Sequence, residues 1–294
     1  MGVLGKIERT VMQAPAGAAL LHLLDAWLRP GQEWSLRKEY PQVFGSKSKA
    51  LQHILHDDGT ILAHAATLDL PYKGHGREFT IRVVGSVVAH PGHRREGHAT
   101  TLIEALARDF ARDTADLMML WSDDPAFYGR CGFEPMGVEH ILRLSPTCLG
   151  PSLGLLRRAE ACDVPSMHAM HGAKPNGTRR SPQAFEALLS IPRCETWVLE
   201  VADEILAYGS LGRGLDFCNY IHEVGGHDPE VASLISALLM EKGQDLGLLL
   251  PPYRDDLCTI LRPSLVSEDR TPLGLGIQKS PIPGDFYLEG FDSI

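Results

Sequence analysis

The sequence predicts a mixed α/β fold built twice over. Three observations carry that reading. The 294 residues sit at the size where one hydrophobic core stops growing, so two domains are the first expectation. Runs of β-branched residues alternate with amphipathic helical runs, which predicts mixed sheets with helices on both faces. The order of those runs in the first half recurs in the second, the internal symmetry of tandem units.

Composition agrees. Hydrophobic residues make up 44% and charged residues 22%, which excludes a disordered or collagen-like chain. A formal net charge of -9 argues against nucleic acid as a partner and favours cationic ones. The six cysteines are widely spaced and form no C-x-x-C, so a reduced compartment is expected rather than a zinc ribbon or redox motif. The N-terminus lacks a basic segment followed by an apolar stretch, and no run approaches a membrane span. A soluble cytoplasmic protein is expected.

Along the chain, a first strand is expected from Ile7 to Gln13, then a helix in PAGAALLHLLDAWLRP, entered near Pro15 and stopped before Pro30. ALQHILHDDGTILAHAATLDL reads as two strands around Asp58-Gly59, a dipeptide suited to a tight hairpin. YKGHG is expected as a loop and EFTIRVVGSVVAHP as a long strand ended by Pro91. GHATTLIEALARDFARD is a helix with Leu102, Ile103, Leu106 and Phe110 on one stripe, and DLMMLWS a buried strand. The Pro-, Gly- and Ser-rich stretch from Leu144 to Gly154 marks a boundary. Residues 1–144 are expected as the first unit, 145–154 as a linker, 155–280 as the second unit and 281–294 as a tail. In the second unit SPQAFEALLS is a helix capped by Ser181, TWVLEVADEILAYGSLG a hairpin around Asp203, and FCNYIHEVGG a strand. DPEVASLISALLMEKG is a helix and DLGLLLPP another buried strand.

One junction concentrates the chemistry. Between the strand VVGSVVAHP and the helix HATTLIEALARDF, Arg94, Gly97 and Ala99 give R-x-x-G-x-A. Small residues at 97 and 99 let a ligand approach the backbone, and free amides at a helix start present the positive end of its dipole. Arg94 and Arg95, with the hydroxyls of Thr100 and Thr101, complete an anion cradle suited to pyrophosphate. About thirty residues on, after the strand DLMMLWS, Phe127, Tyr128, Gly132 and Phe133 form F-Y-x-x-x-G-F.

Together the two motifs resemble the GNAT superfamily of N-acetyltransferases, over about Ile7 to Leu144. FYGRCGF and the paired arginines resemble more closely its tandem, enhanced-intracellular-survival (Eis) type. The resemblance implies an α/β fold of tandem GNAT units, the second degenerate, and acetyl-CoA as co-substrate. It places Arg94, Arg95, Gly97, His98, Ala99 and Thr100 on the cofactor, with Val87, Val88 and Ala89 along its pantetheine arm. A backbone amide near Val88 would stabilise the oxyanion. Tyr128 would stand beside the thioester sulfur as general acid, since a phenol with pKa about 10 can return a proton to a thiolate of similar basicity. The acceptor would be the primary amine of a small molecule, a peptide or a protein, acetylated directly in a ternary complex.

The base is less plain. Histone-acetylating relatives carry a Glu eleven positions before the pyrophosphate motif, where this chain has Val83. His64 and His90 are candidates, although a His in or beside a strand is more often structural. In the Eis type the C-terminal carboxylate reaches the first unit's active site, so the Ile294 carboxylate, or Asp292, is expected to accept the amine's proton. The alternative is that Phe286, Tyr287 and Phe291 add an edge strand to the second unit. That unit's junction, HEVGGHDPEVASL, has no Arg and sets Asp228 and Glu230 where a pyrophosphate would lie, so one cofactor site is expected. No metal is assigned, and Cys131 is expected to be a buried small hydrophobe rather than a nucleophile. The rival from another class is a non-catalytic acyl-CoA sensor, which has no need of Tyr128.

Overall fold

The computed structural model describes residues 5–146 and 153–294. Most of the linker expected at 145–154 lies outside the described residues. The first half comprises β1 (Lys6–Val11), α1 (Gly17–Leu28), α2 (Leu36–Glu39), α3 (Pro41–Phe44), β2 (Leu51–Asp57), β3 (Thr60–Gly74) and β4 (Arg77–Ala89). It continues through α4 (His98–Phe110), β5 (Leu117–Leu120), α5 (Pro125–Gly129), β6 (Glu134–Met136) and β7 (Glu139–Leu144). The second half runs through β8 (Leu155–Arg158), α6 (Val164–Gly172), β9 (Gly177–Thr178), α7 (Pro182–Leu188), β10 (Glu195–Val201), β11 (Glu204–Arg213) and β12 (Asp216–Gly226). It ends with α8 (Asp228–Lys242), β13 (Leu246–Leu250), α9 (Asp255–Leu261), β14 (Leu265–Thr271) and β15 (Gly274–Gln278). Among the described residues no helix is long and apolar enough to cross a membrane.

Local sequence explains the hairpins. Asp58 and Gly59 both take left-handed backbone (φ 44° and 81°), as do Ala202 and Asp203 (φ 50° and 66°), the geometry that matches strand twist in two-residue turns. The expected loop YKGHG is mostly strand. β3 and β4 stay paired to Gly74 and Arg77, and His75 and Gly76 alone turn the chain at φ 50° and 72°.

Two sheets result. The first has the order β1-β2-β3-β4-β5-β15-β6, with β9 beside β3, and the second β14-β7-β13-β12-β11-β10-β8. Each holds one parallel pair, β4 with β5 and β12 with β13, so the same motif occurs twice. The sheets do not part at the expected boundary. β7, from the first half, lies between β13 and β14, whereas β15, from the second half, lies between β5 and β6.

The first sheet is covered on both faces, so its central strands are apolar throughout. Ile81, Val83, Leu117 and Met119 pack with Leu24, Val43, Phe44 and the tail residues Phe286 and Leu288. Val84, Met118 and Leu120 face the opposite way, onto Leu102, Ile103, Leu106 and Phe110 of α4. Each such fully buried side chain contributes roughly 1.5–3 kcal/mol. That packing fixes the end of β4 and the start of α4, where the two motifs lie.

Candidate active site

β4 pairs with β5 only from Ile81 to Val83 and then runs on to Ala89 without it. A bulge causes the parting. Register with β3 jumps from Ala66–Gly85 to His64–Val88, and Ser86 takes a left-handed φ of 51°. His64, fully buried, clamps the bulge: its Nδ1 lies 3.0 Å from the Ser86 carbonyl oxygen and its Nε2 3.0 Å from Gln52 Oε1. Burial pushes its pKa down to about 4. With both ring nitrogens engaged, His64 is a structural residue and not a base.

Val87, Val88 and Ala89 flank the gap, half-buried. Val87 packs towards Tyr128 and α4, and Val88 towards α1 and the tail, as strand alternation requires. A single ligand could therefore meet all three only along the backbone edge that β5 leaves free.

The loop beyond reaches α4 through Gly97, the N-cap, at φ 86°. A Cβ there would meet nothing within 4 Å, so the cradle is open, and no side chain caps the helix. Thr101 N–H is bonded to the Gly97 carbonyl (2.9 Å), leaving the amides of His98, Ala99 and Thr100 without intrahelical acceptors. Arg94 and Arg95 are exposed, and neither makes an ion pair among the described residues. This set fits a pyrophosphate. The side chain of His98 does not join it, being buried and bonded through Nε2 to Glu96 (3.2 Å), so only its backbone N–H faces the cradle.

Glu96 also bonds His93 (3.1 Å), and the two histidines hold its carboxyl below the usual range. The donor atoms of His93, Glu96 and His98 lie within 4.8 Å of one another, the one grouping among the described residues that could hold a metal ion. Two arginines and a helix N-terminus beside it oppose a cation there.

Tyr128 sits in α5, whose start is capped by Asp124 accepting from Phe127 N–H (2.9 Å). Its ring packs edge-on to Phe127 and Phe133 and shares a cluster with Val87, Leu102 and Ile103, so the two motifs meet in space. Burial, assisted by Cys131 and Asp124, pushes the phenol up to about 12. Its hydroxyl has no hydrogen-bond partner among the described residues. Burial also raises the Cys131 thiol, which leans on the Phe127 carbonyl at 3.8 Å, so it is not a poised nucleophile.

The tail forms no edge strand. Residues Phe286 to Asp292 are buried, and a short helical turn at Gly290–Asp292 lies on β12, where a Cβ on Gly290 would meet the His222 ring. Gln42 Nε2 donates to the carbonyls of Phe291 (3.3 Å) and Ser293 (3.2 Å). The chain then reaches β4, where a Cβ on Gly85 would overlap the Ile294 carboxyl group. Asp292 is unavailable as a base. Buried, it accepts from Thr178 Oγ1 (2.9 Å), from Arg180 (2.7 Å) and from the Glu289 amide (3.1 Å). His90 is excluded too: Nδ1 accepts from Gly92 N–H (3.0 Å), so the neutral ring carries its proton on Nε2 and keeps no free lone pair.

Sequence reasoning missed Gln42, Gly85 and the buried group Lys174, Arg180, Glu223 and Glu289 that seats the tail. Their partners lie in distant elements, and no local pattern announces them.

The second unit repeats the bulge and the parallel pair, with register shifting between Ser210 and Leu211 against Glu223 and Ile221. Its helix start is closed to anions. Asp228 is ion-paired to Arg254, which also donates to the Gly226 carbonyl at 3.2 Å.

A bulged strand parting from its parallel neighbour, followed by an arginine turn into an uncapped helix, defines a GNAT-fold protein. Residues 26–136, within the first half of the chain, match the acetyltransferase (GNAT) domain family. A mycothiol acetyltransferase of Kineococcus radiotolerans is 32% identical over 158 residues, 47% of this chain and 49% of that protein. The chain thus spans about half the length of that curated relative. Among solved structures, a probable N-acyltransferase of Enterococcus faecalis shares the fold with TM-score 0.72 at 11% identity, covering 94% of this chain and 73% of that one. Eis1 of Mycobacterium abscessus does so with TM-score 0.60 at 14% identity, over 92% and 73%.

Proposed function

We propose that the protein is an acetyl-CoA-dependent N-acetyltransferase that moves an acetyl group directly to a primary amine. The observation that carries this is the meeting of an open, unpaired anion cradle and a buried, unpartnered phenol at the two sides of one splayed strand end. Acetyl-CoA, when bound, supplies the activated acetyl group. Arg94, Arg95 and the amides of His98, Ala99 and Thr100 would hold its pyrophosphate. The free backbone edge at Val87–Ala89 would line the pantetheine arm, with an amide near Val88 donating to the carbonyl oxygen; such a fixed donor is worth roughly 2.7–4 kcal/mol of barrier. Tyr128 would protonate the departing sulfur. The Ile294 carboxylate, lying on Gly85 beside the bulge, would take the proton of the amine. The relative's name, mycothiol acetyltransferase, supports a small-molecule acceptor.

The second unit, its anion site closed by Arg254–Asp228, would bind no cofactor and would wall the acceptor side. Free thiol released from acetyl-CoA with and without a panel of amines tests the reading. Amine-dependent release is expected, and Tyr128→Phe should depress it with cofactor binding intact. Cofactor binding without turnover on any amine would make the protein an acyl-CoA sensor instead.

A further inference from the structure

A cavity of about 320 Å³ opens where the α6–β9 segment meets β3, well along the hairpin from the bulge at Ser86. On a chain of net charge -9, its walls carry no carboxylate. They carry Lys73, His168, His171, Lys174, Arg179 and Arg180 instead. The two cations at the rim are available. Lys73 is exposed with no ion pair among the described residues, and Arg179 pairs only with exposed Glu78, a contact worth little in water.

The inner wall is rigid. Lys174 and Arg180 are buried and held from behind by Glu289 (2.6 Å), Glu223 (2.8 Å) and Asp292 (2.7 Å). His171 Nε2–H donates to the Thr178 carbonyl (2.9 Å), and its Nδ1 faces the Glu223 carboxylate at 3.4 Å. The volume is at the small end of ligand pockets, roughly 300–1,000 Å³. The inner cations are matched by the carboxylates behind them, so the positive charge free to meet a ligand lies at the mouth, on Lys73 and Arg179, and suits a compact ligand with several negative oxygens.

We propose that this cavity binds a small, multiply charged oxyanion, a polycarboxylate or a phosphate ester, at a site separate from the Arg94–Arg95 cradle. Such an occupant also steadies the tail, because Thr178 and Arg180 hold Asp292 and Lys174 holds Glu289.

Citrate and inorganic pyrophosphate titrated by calorimetry and thermal shift test this on the full chain, with coenzyme A present to occupy the cradle and sodium chloride at matched ionic strength as control. The expected result is a saturable rise in Tm with at least one anion, and affinity lowered roughly tenfold in Lys73→Ala/Arg179→Ala, whose anion-free turnover is unchanged. Citrate binding alone assigns a polycarboxylate, and pyrophosphate binding alone a phosphate ester. Lys73→Ala by itself serves should the double variant fold poorly. No saturable effect beyond sodium chloride, or affinity unmoved by the substitutions, overturns the proposal. Binding is read independently of acetyl transfer, so neither result depends on the enzymatic reading.

Discussion

Tyr128 holds its proton firmly, with a hydroxyl free of partners among the described residues and an apolar wall that disfavours its anion. With its pKa pushed up to about 12, the phenol stays protonated throughout the working range. The kcat profile should therefore rise as the acceptor amine deprotonates and show no descending limb from Tyr128 below about pH 11. Tyr128→Phe should lower kcat by roughly 10²-fold or more and leave acetyl-CoA affinity within a factor of two or so. Gly85 makes a second residue-scale claim. A methyl group there would displace the Ile294 carboxyl, so Gly85→Ala should reduce kcat strongly while cofactor binding, measured by calorimetry, persists. Glu139 gives a stability claim. Burial raises its pKa to about 7 from 4.5, and Tyr287 donates to it at 2.8 Å. The folded state holds that proton more tightly than the unfolded chain does. The contribution is thus full below about pH 4.5 and lost as pH rises through about 7. Glu139→Gln, which keeps an acceptor without the charge, should raise Tm relative to the parent at pH 8 and leave it nearly unchanged at pH 5.

At the scale of elements, the turn from β4 into α4 uses left-handed backbone at Arg95 (φ 67°) and Gly97 (φ 86°) to aim free amides outward. Gly97→Ala should cost about 1–2 kcal/mol for the left-handed position, and its methyl would enter the open cradle and raise KM for acetyl-CoA. The bulge in β4 has its own clamp in His64, whose ring bonds across to Ser86. The repeated bulge in β12 shows that the fold motif survives in the second unit, whereas the Arg254–Asp228 pair fills the place of the cradle. Element order was largely legible, since hairpins, amphipathic helices and caps follow from neighbouring residues. The extension of β3 to Gly74 was not. It depends on pairing with β4 and with β9, which YKGHG by itself does not encode.

For the whole molecule, exchange of β7 and β15 means that each sheet is completed by the other half of the chain. A fragment ending at Pro146 would leave β6 without its neighbour β15, and the remaining chain would lack the strand between β13 and β14. The intact protein should unfold in a single cooperative calorimetric transition, and either half expressed alone should not give a folded, monomeric product. Two well-separated transitions would contradict this.

The cofactor cradle and the phenol were written locally, in R-x-x-G-x-A and F-Y-x-x-x-G-F, because each takes its geometry from one strand-to-helix turn or one short helix. By itself the sequence determined those two motifs, the tandem order of elements and the loss of the anion site before α8. Tertiary structure decided which candidate bases are free. It engaged both nitrogens of His64, took the lone pair of His90, buried Asp292 under Arg180 and set Ile294 on Gly85. It also decided that the halves interlock. His64 and His90 are engaged by neighbouring strands and by one turn, whereas the seat of the tail and the interlock rest on contacts between residues a hundred or more positions apart, such as Arg180 with Asp292, and packing selects such partners only once the chain has closed around them.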